Sequence, residues 1–374
     1  MSTNLMTASN QWATRPADQR FETLDELSAA VNARRERAFA FNEVVTDLEV
    51  KVIKDGSEQE RFVINGRRAP MQFTHWSFGQ ICAHSKASAS YLRTLPKQLA
   101  ADCLNYSVKH ASRESMKIMS LRGDDVNTLQ AVTSTSYGRI WDADIVAATK
   151  NIVERTGGRF FNPKAYAHGT MGGECKPSGL YASDRDVFIF MIDGGSLVDV
   201  RGGNGRDGLH RGFFISNSEV GARKFELTTF LFRHACGNHI VWGAQDVTSL
   251  VMRHTIGAPN RFAQEATPAL LEYINASSQP LVDAVTKARE TKLVSLMNVE
   301  KIDDKFVSLF SKRFNFTKGE VRDAIDAARR EEGECVSLWD MTNGLTAIAR
   351  EFEFVDARID LEARAGKLLD IVKN

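Results

Sequence analysis

The chain has 374 residues, of which 43% are hydrophobic and 25% are charged, proportions typical of globular proteins. Its net charge of +1 excludes a strong overall field that would hold it on nucleic acid or on a membrane. This average conceals an asymmetry: residues 320–374 carry 8 basic and 13 acidic side chains, and the preceding part is mildly basic.

The cysteines are far apart in the sequence and form no CxxC pair. Such an odd, dispersed set is typical of free thiols in a reducing compartment. The first residues have no apolar segment typical of a secretory signal, and no run of about 18 apolar residues occurs. We therefore expect a cytoplasmic protein without membrane contact. The cysteines are Cys82, Cys103, Cys175, Cys236 and Cys335.

The first part of the chain alternates between helical and strand patterns. Residues 1–20 are polar and without pattern, which predicts a disordered arm. A Lys54-Asp55-Gly56 turn is expected to join two strands, and Pro96 is expected to kink or end a helix. The predicted helices cover residues 23–37, 77–87, 89–104 and 143–155, and the predicted strands cover residues 44–53, 60–64, 116–122 and 129–134.

The later part divides into a strand-rich and a helix-rich region. Residues 159–242 are strand-like, with a continuous apolar run at 186–192 that is typical of a buried strand. From about residue 260 the apolar period becomes 3.6, and Thr317 with Glu320 fits a capping box. The sequence thus predicts an α+β fold: a mixed β-sheet and helix body at residues 21–258, then an all-α C-terminal region at 259–374. The predicted helices of that region cover residues 261–275, 280–297, 303–314, 317–331, 338–351 and 357–372.

Three segments carry a family resemblance. Residues 71–105 contain Tyr-Leu-Arg-Thr-Leu-Pro, residues 215–243 contain Asn-Ser-Glu-Val-Gly, and residues 337–369 contain Trp-Asp-Met-Thr-Asn-Gly-Leu-Thr. In this order the chain resembles the phage/plasmid-like protein family, domain of unknown function 932. One departure is His239, in Cys236-Gly237-Asn238-His239, where the family has glycine. The family has no agreed activity, and the resemblance implies a protein of a mobile element.

The layout of strands before a helical tail is also similar to that of single-strand annealing proteins of the Red-beta and Erf kind. This similarity lies at the level of the fold, which does not itself imply function. It makes single-stranded DNA binding, and a role in annealing or recombination, the activity to test first.

The glycine-rich stretch at residues 193–212 contains a formal GxGxxG at 203–208. A dinucleotide site needs a helix directly after that motif, but a strand-like segment follows, so a dinucleotide site is disfavoured. A mobile hairpin tip is the better interpretation. Its arginines Arg201, Arg206 and Arg211 would then bind phosphate, or extend into solvent without a partner.

Two metal sites are conceivable and neither is favoured. His234, Cys236 and His239, with His210 upstream, include only one cysteine and have no CxxC partner. Asp184, Asp186 and Asp193 would suit a magnesium-dependent nuclease, although the first two bracket a turn, where structural aspartates are common. No metal, cofactor or catalytic residue is therefore assigned.

Two stretches combine cations with aromatic side chains, the mixture that single-stranded DNA binding requires. Cations would bind phosphates, and Tyr137 and Trp141 would stack on bases, unless these two rings belong to the core. The predicted DNA-binding residues are Arg113, Lys117, Arg122, Tyr137, Arg139, Trp141, Arg201, Arg206, Arg211, Arg223, Lys224 and Arg233.

Two alternatives of other classes remain open. The acidic C-terminal helices suit a protein–protein module, such as a host-defence inhibitor or a scaffold. A metal-dependent nuclease is the second. If the chain binds single-stranded DNA, we expect a homo-oligomer, because many identical sites side by side would multiply weak contacts to one strand.

Overall fold

The computed structural model describes residues 15–54, 60–66, 69–162, 164–165, 176–177, 179–199, 208–233, 239–240, 249–277, 279–349, 361 and 364–372. Within these residues the chain has the predicted α+β fold, with two large sheets followed by helices. The strands are β1 (Arg20–Phe21), β2 (Ala38–Val44), β3 (Glu49–Lys54), β4 (Glu60–Asn65), β5 (Met71–Phe73), β6 (Ser115–Leu121), β7 (Asn127–Ser134), β8 (Phe160–Phe161), β9 (Lys164–Ala165), β10 (Lys176–Pro177), β11 (Leu180–Ala182), β12 (Val187–Asp199), β13 (Gly208–Asn217), β14 (Phe225–Arg233), β15 (His239–Ile240) and β16 (Ser249–Met252).

The helices lie between the strands of the body and then follow one another. The α-helices are α1 (Leu24–Arg37), α2 (His75–His84), α3 (Ala89–Leu92), α4 (Lys97–Lys109), α5 (Asp142–Arg155), α6 (Ala258–Arg261), α7 (Thr267–Asn275), α8 (Gln279–Glu290), α9 (Leu293–Met297), α10 (Asp304–Phe314), α11 (Lys318–Glu332) and α12 (Leu338–Ala349). Short 3₁₀ helices cover Ala17–Gln19, Val45–Asp47 and Leu368–Val372, and a π-helix covers Phe262–Ala266.

The first sheet has the strand order β2-β6-β7-β5-β4-β3 among the described residues. Its pairs are antiparallel except β5 with β7, which run parallel. Helices α2 and α4 bring Ile81 and Leu104 into one core with Ile118 of the sheet. Burial of these apolar side chains against one face stabilises the sheet.

The second sheet is formed by β1-β11-β12-β13-β14-β15, with β16 beside β14 and β8 beside β12. Helices α1 and α5 pack on one face, where Leu27 and Val146 meet Phe213. A second cluster includes Phe188 and Phe214. All six residues from 187 to 192 are at most 2% exposed, so the continuous apolar run predicted as a buried strand is buried without alternation.

The C-terminal helices have a core of their own. Phe306 and Phe310 of α10 pack with Trp339 and Leu345 of α12. The predicted capping box is present, because Thr317 Oγ1 accepts from the Glu320 N–H at 3.1 Å and Glu320 Oε2 accepts from the Thr317 N–H at 2.6 Å.

Some boundaries differ from the sequence prediction. Strand β2 was not predicted, and Pro96 lies between α3, which ends at Leu92, and α4, which begins directly after the proline. Arg15 binds Asp186 with an N–O distance of 2.8 Å, and β1 pairs with β11. The N-terminal segment is therefore in contact with the second sheet from Arg15 onward, although the disordered arm was expected to extend to residue 20.

Candidate nucleic-acid interface

The predicted residues near position 140 lie where the two sheets meet. We call this contact the junction: residues 137–142, which follow β7, against residues 217–221, the turn after β13. Asn217 donates through Nδ2 to the Ile140 carbonyl at 2.9 Å and to Asp142 Oδ1 at 2.8 Å. Trp76 and Gln80 of α2 donate to the Val220 carbonyl at 3.0 and 2.8 Å. The Asn-Ser-Glu-Val-Gly segment of the family resemblance therefore joins the sheets.

Arg139 is buried in the junction, with 9% of its surface exposed. Its Nε donates to the Glu219 carbonyl at 2.8 Å, and its guanidinium lies 5.7 Å from the Tyr137 ring and 5.4 Å from the Trp141 ring. Burial lowers the pKa of Arg139, and Glu219 opposes that shift. Because its contacts are internal, Arg139 serves the fold in this structure.

The two aromatic rings predicted to stack on bases are half-buried and have partners within the protein. Tyr137 stacks on His254 with a centroid distance of 4.9 Å, and its hydroxyl donates to the Ser218 carbonyl at 2.9 Å. Trp141 has the Arg35 guanidinium 5.4 Å from its ring, in addition to that of Arg139. Lys117 Nζ donates to the Tyr137 carbonyl at 2.9 Å.

Two buried carboxyl groups complete the junction. Asp142 is 1% exposed and Glu219 is 4% exposed, and Glu219 Oε1 accepts from the Asp142 backbone N–H at 2.8 Å. Burial raises the pKa of Asp142 well above its usual value, and the neighbouring Glu219 raises it further. Burial also raises the pKa of Glu219. The pair therefore favours a protonated form, which is less costly to bury than two charges.

The second predicted cluster is dispersed. Arg211 is 6% exposed and donates to the carbonyls of Ala276, at 2.7 Å, and Tyr273. Half-buried Arg223 lies 3.7 Å from Asp186 and 4.3 Å from the centre of the Phe188 ring. Lys224 is exposed. Arg233 ends β14 with its side chain outside the described part, and Arg201 and Arg206 lie outside the described residues altogether.

Arg113 and Arg122 are exposed, but they flank opposite ends of β6. At about 3.3 Å per residue, the seven residues of β6 alone separate them by roughly 20 Å. They therefore belong to different places on the surface. Of the predicted residues whose side chains the structure describes, Arg122 is the one whose surroundings suit a ligand best.

Arg122 borders an open pocket of about 460 Å³ at one end of the first sheet, which we call the Phe39 pocket. The Arg122 guanidinium lies 5.5 Å from the centre of the Phe39 ring, which stacks on Phe41 at 6.0 Å. Asn127 of β7 and Met71 of β5 line the same pocket, as does Ala69. A half-exposed ring beside a guanidinium presents one surface to a flat apolar group and another to an anion.

A second exposed cation stands beside this pocket. Arg37 ends α1, directly before β2, and its Nε donates to the Arg122 carbonyl at 2.9 Å. The Arg122 N–H donates to the Arg37 carbonyl at 2.9 Å, so the two backbones are fixed together. Within the described part of the chain no carboxylate forms an ion pair with Arg37 or Arg122, whereas Arg35 pairs with Asp144.

The sequence reasoning missed Phe39, Arg37 and Asn127. The signal that was available is Phe39 and Phe41 alternating with alanine in β2, a pattern that indicates a strand with one apolar face. The pocket itself could not be read from the sequence, because it combines the beginnings of β2, β5 and β7 with the residue after β6.

Two of the carboxylates that would suit a nuclease form ion pairs with arginines, and the third is exposed. Asp186 binds Arg15, Asp193 binds Arg159 at 2.7 Å, and Asp184 is exposed. Among the described residues no group of three or more His, Cys, Asp or Glu side chains is arranged to hold a metal. His234, Cys236 and residues 203–207 of the GxGxxG lie outside them, and His210 Nδ1 lies 3.2 Å from the Asp193 carbonyl.

The exposed face of α11 does not present a purely acidic surface. Asp326 pairs with Arg329 at 3.5 Å, and Arg322 pairs with Asp304 at 2.9 Å. Glu320 binds Arg364 at 2.7 Å. These pairs intersperse both charges over the part of the tail that the structure describes. None of the described helices is long and apolar enough to cross a membrane.

Searches for related proteins return nothing: no family model, no curated protein and no solved structure matches this chain.

Proposed function

We propose that this chain binds single-stranded DNA at the Phe39 pocket, as a protein of a phage or plasmid type of mobile element. The observation that carries the proposal is the pocket's composition. A half-exposed phenylalanine ring, an exposed guanidinium 5.5 Å from its centre and an amide side chain line about 460 Å³ of open space. These are the groups that a nucleotide of an unpaired strand contacts.

Each group has a distinct task in this proposal. The Phe39 ring stacks on one base, a contact that contributes about 1–3 kcal/mol in proteins of this kind. Arg122 and Arg37 bind the phosphates on either side of that base. Asn127 Oδ1 accepts from the Gly123 N–H at 3.4 Å, so the Asn127 side chain offers the base edge its amide N–H donors.

The pocket favours a single strand over a duplex because stacking on Phe39 requires a base face. In a duplex both faces of each base are already stacked on neighbours. Stacking on a ring and binding of phosphates do not depend on the identity of the base, and one amide can donate to an acceptor on any base, so we expect little sequence preference.

The proposal is tested by fluorescence anisotropy with a labelled oligo-dT at about 50 mM salt, where binding to phosphates is strong. In the double variant Arg37→Ala/Arg122→Ala, affinity should fall. The slope of log K against log salt should decrease by about 1.4, at roughly 0.7 for each phosphate that is no longer neutralised. The matched control is Lys305→Ala/Lys312→Ala on α10, which removes the same charge from another exposed surface.

Equal losses of affinity in the two double variants would show that net charge, and not the pocket, governs binding. Absence of binding by the unaltered protein at this salt concentration would overturn the proposal. It would leave the partner-binding module as the working hypothesis.

Strand annealing is the finer form of this proposal, and it requires a homo-oligomer. Two cations per chain give little affinity for a long strand, so several chains must act together. Light scattering with DNA should then report a mass several times the 41.6 kDa of one chain. A monomer with and without DNA would exclude annealing but leave binding intact.

A further inference from the structure

A second pocket, of about 370 Å³, opens beside the first sheet. We call it the Phe73 pocket. Buried Phe78 packs on Phe73 edge-on at 5.5 Å and on Phe62 at 5.6 Å, and all three rings line the pocket. Phe62 and Phe73 are only half-buried, so aromatic surface faces the open space.

A cation is fixed at the rim of this pocket. The exposed Arg93 donates through Nη2 to the His75 carbonyl at 2.8 Å, and its guanidinium lies 5.3 Å from the Phe78 ring centre. Among the described residues no carboxylate forms an ion pair with Arg93. The Phe73 pocket therefore repeats the chemistry of the Phe39 pocket: apolar rings with an arginine that is available to an anion.

The strand register places the two pockets in one row. Phe39 is opposite Ser120, Ser120 is opposite Leu129, and Leu129 is opposite Phe73. Directly opposite residues point to the same face of a sheet, so Phe39 and Phe73 lie on one face. Three strand spacings of about 4.8 Å separate them by roughly 14 Å.

The residues between the pockets are closed to a ligand. Ser120 and Leu129 have no exposed surface, and Ser120 Oγ lies 2.8 Å from Met71 Sδ. A ligand that reaches both pockets must therefore contact the protein at the two ends of the row. Each pocket combines aromatic rings with an arginine, so such a ligand needs a planar group and an anion at both of its ends. A short oligonucleotide has this chemistry.

We infer that one single strand occupies both pockets, with a base on Phe39 and another on Phe73. The inference rests on the proposed function. A strand that keeps its stacked spacing of about 3.4 Å per nucleotide would need about four steps for 14 Å in a straight line, and passing around the buried residues between the pockets adds to that number. The ligand is thus single-stranded DNA of at least about five nucleotides, with Arg122 and Arg93 on its phosphates.

The test measures affinity for oligo-dT of two to ten nucleotides. Affinity should rise steeply until the strand is long enough to reach both pockets, which requires at least about five nucleotides, and only slowly beyond that length. In Phe73→Leu or Arg93→Gln the steep rise should disappear, and affinity for an eight-nucleotide strand should fall about fivefold or more. Affinity for a two-nucleotide strand should change less than about twofold in either variant, because the Phe39 pocket remains.

The matched control is Tyr106→Leu, which removes an aromatic ring that is 68% exposed on α4 and should not affect binding. An unchanged unfolding transition in Phe73→Leu shows that the variant is folded, and Arg93→Gln tests the pocket without altering its rings. If both variants keep the wild-type length dependence while Arg37→Ala/Arg122→Ala weakens binding, the second subsite is wrong and the proposed function stands. If the unaltered protein binds no strand of any length, both fall together.

Discussion

The junction and the Phe39 pocket contain the same kinds of side chain in opposite situations. At the junction, Arg139 lies between two aromatic rings and donates to a buried carbonyl. At the pocket, Arg122 lies beside Phe39 with its guanidinium exposed. The comparison teaches that an arginine next to an aromatic ring can stabilise a buried contact between sheets or bind a ligand at the surface. Burial decides between the two.

The largest effect we expect concerns the backbone of the junction. A Cβ at Gly138 would lie 2.0 Å from the Thr255 carbonyl oxygen, and backbone atoms cannot move aside as a flexible side chain can. Gly138→Ala should therefore lower the free energy of unfolding by about 3 kcal/mol, the upper end of the usual range for overpacking. Chemical denaturation measures this value.

Gly257→Ala is the matched control, because that glycine has a negative φ of −84° and nothing within 4 Å of its added Cβ. It should change the free energy of unfolding by less than about 0.5 kcal/mol. A Gly138 variant as stable as the Gly257 variant would mean that Gly138 does not approach the Thr255 carbonyl as closely as described.

The second prediction sets the two arginines directly against each other. Arg139→Ala should lower the free energy of unfolding by about 2–3 kcal/mol, since a buried hydrogen bond from a charged donor contributes roughly 1.5–3 kcal/mol. Arg122→Ala should change it by less than about 0.5 kcal/mol. For DNA affinity, compared between the folded fractions of the two variants, Arg122→Ala should cause the larger loss and Arg139→Ala the smaller one. Equal losses of stability in Arg139→Ala and Arg122→Ala would contradict the view that the junction arginine stabilises the fold and the pocket arginine does not.

A feature of the fold or of the site could be predicted from the sequence where the residues that determine it are close together along the chain. The helix from residue 24 and the Thr317 capping box follow from neighbouring residues, and both are present. The burial of Arg139 depends on the carbonyl of Glu219, 80 residues away, so composition near position 139 indicated only a basic, aromatic surface. The Phe39 pocket was missed for the same reason, since sheet pairing assembles it.

The third prediction uses the buried carboxyl groups of the junction. Folding raises the pKa of Asp142 through burial and the nearby Glu219, while Arg34 and Asn217 oppose this shift. A carboxyl with a raised folded pKa contributes stability fully below its unfolded pKa, about 4, and this contribution is lost as the pH rises through the folded value. Stability conferred by Asp142 should therefore decline as the pH rises above about 4.

The measurement is the free energy of unfolding of the unaltered protein minus that of Asp142→Asn, from pH 4 to pH 8. The Asn side chain keeps an oxygen that can accept from Asn217 Nδ2, and it does not titrate. The difference should decrease steadily with pH. Asp186, whose pKa is lowered by its bonds to Arg15 against the effect of burial, is present in both proteins and cancels. A difference that stays flat or rises with pH would contradict a protonated carboxyl at the junction.

The smallest effect we expect comes from a single hydroxyl group. Tyr137 donates to the Ser218 carbonyl at 2.9 Å, and Tyr137→Phe removes that hydrogen bond while keeping the ring stacked on His254. The free energy of unfolding should fall by about 1 kcal/mol, the usual contribution of a neutral hydrogen bond. DNA affinity should not change, because the ring faces the protein. A variant that keeps its stability but loses DNA affinity would place Tyr137 on the binding surface. The DNA-binding site predicted from the sequence would then be preferred to the Phe39 pocket.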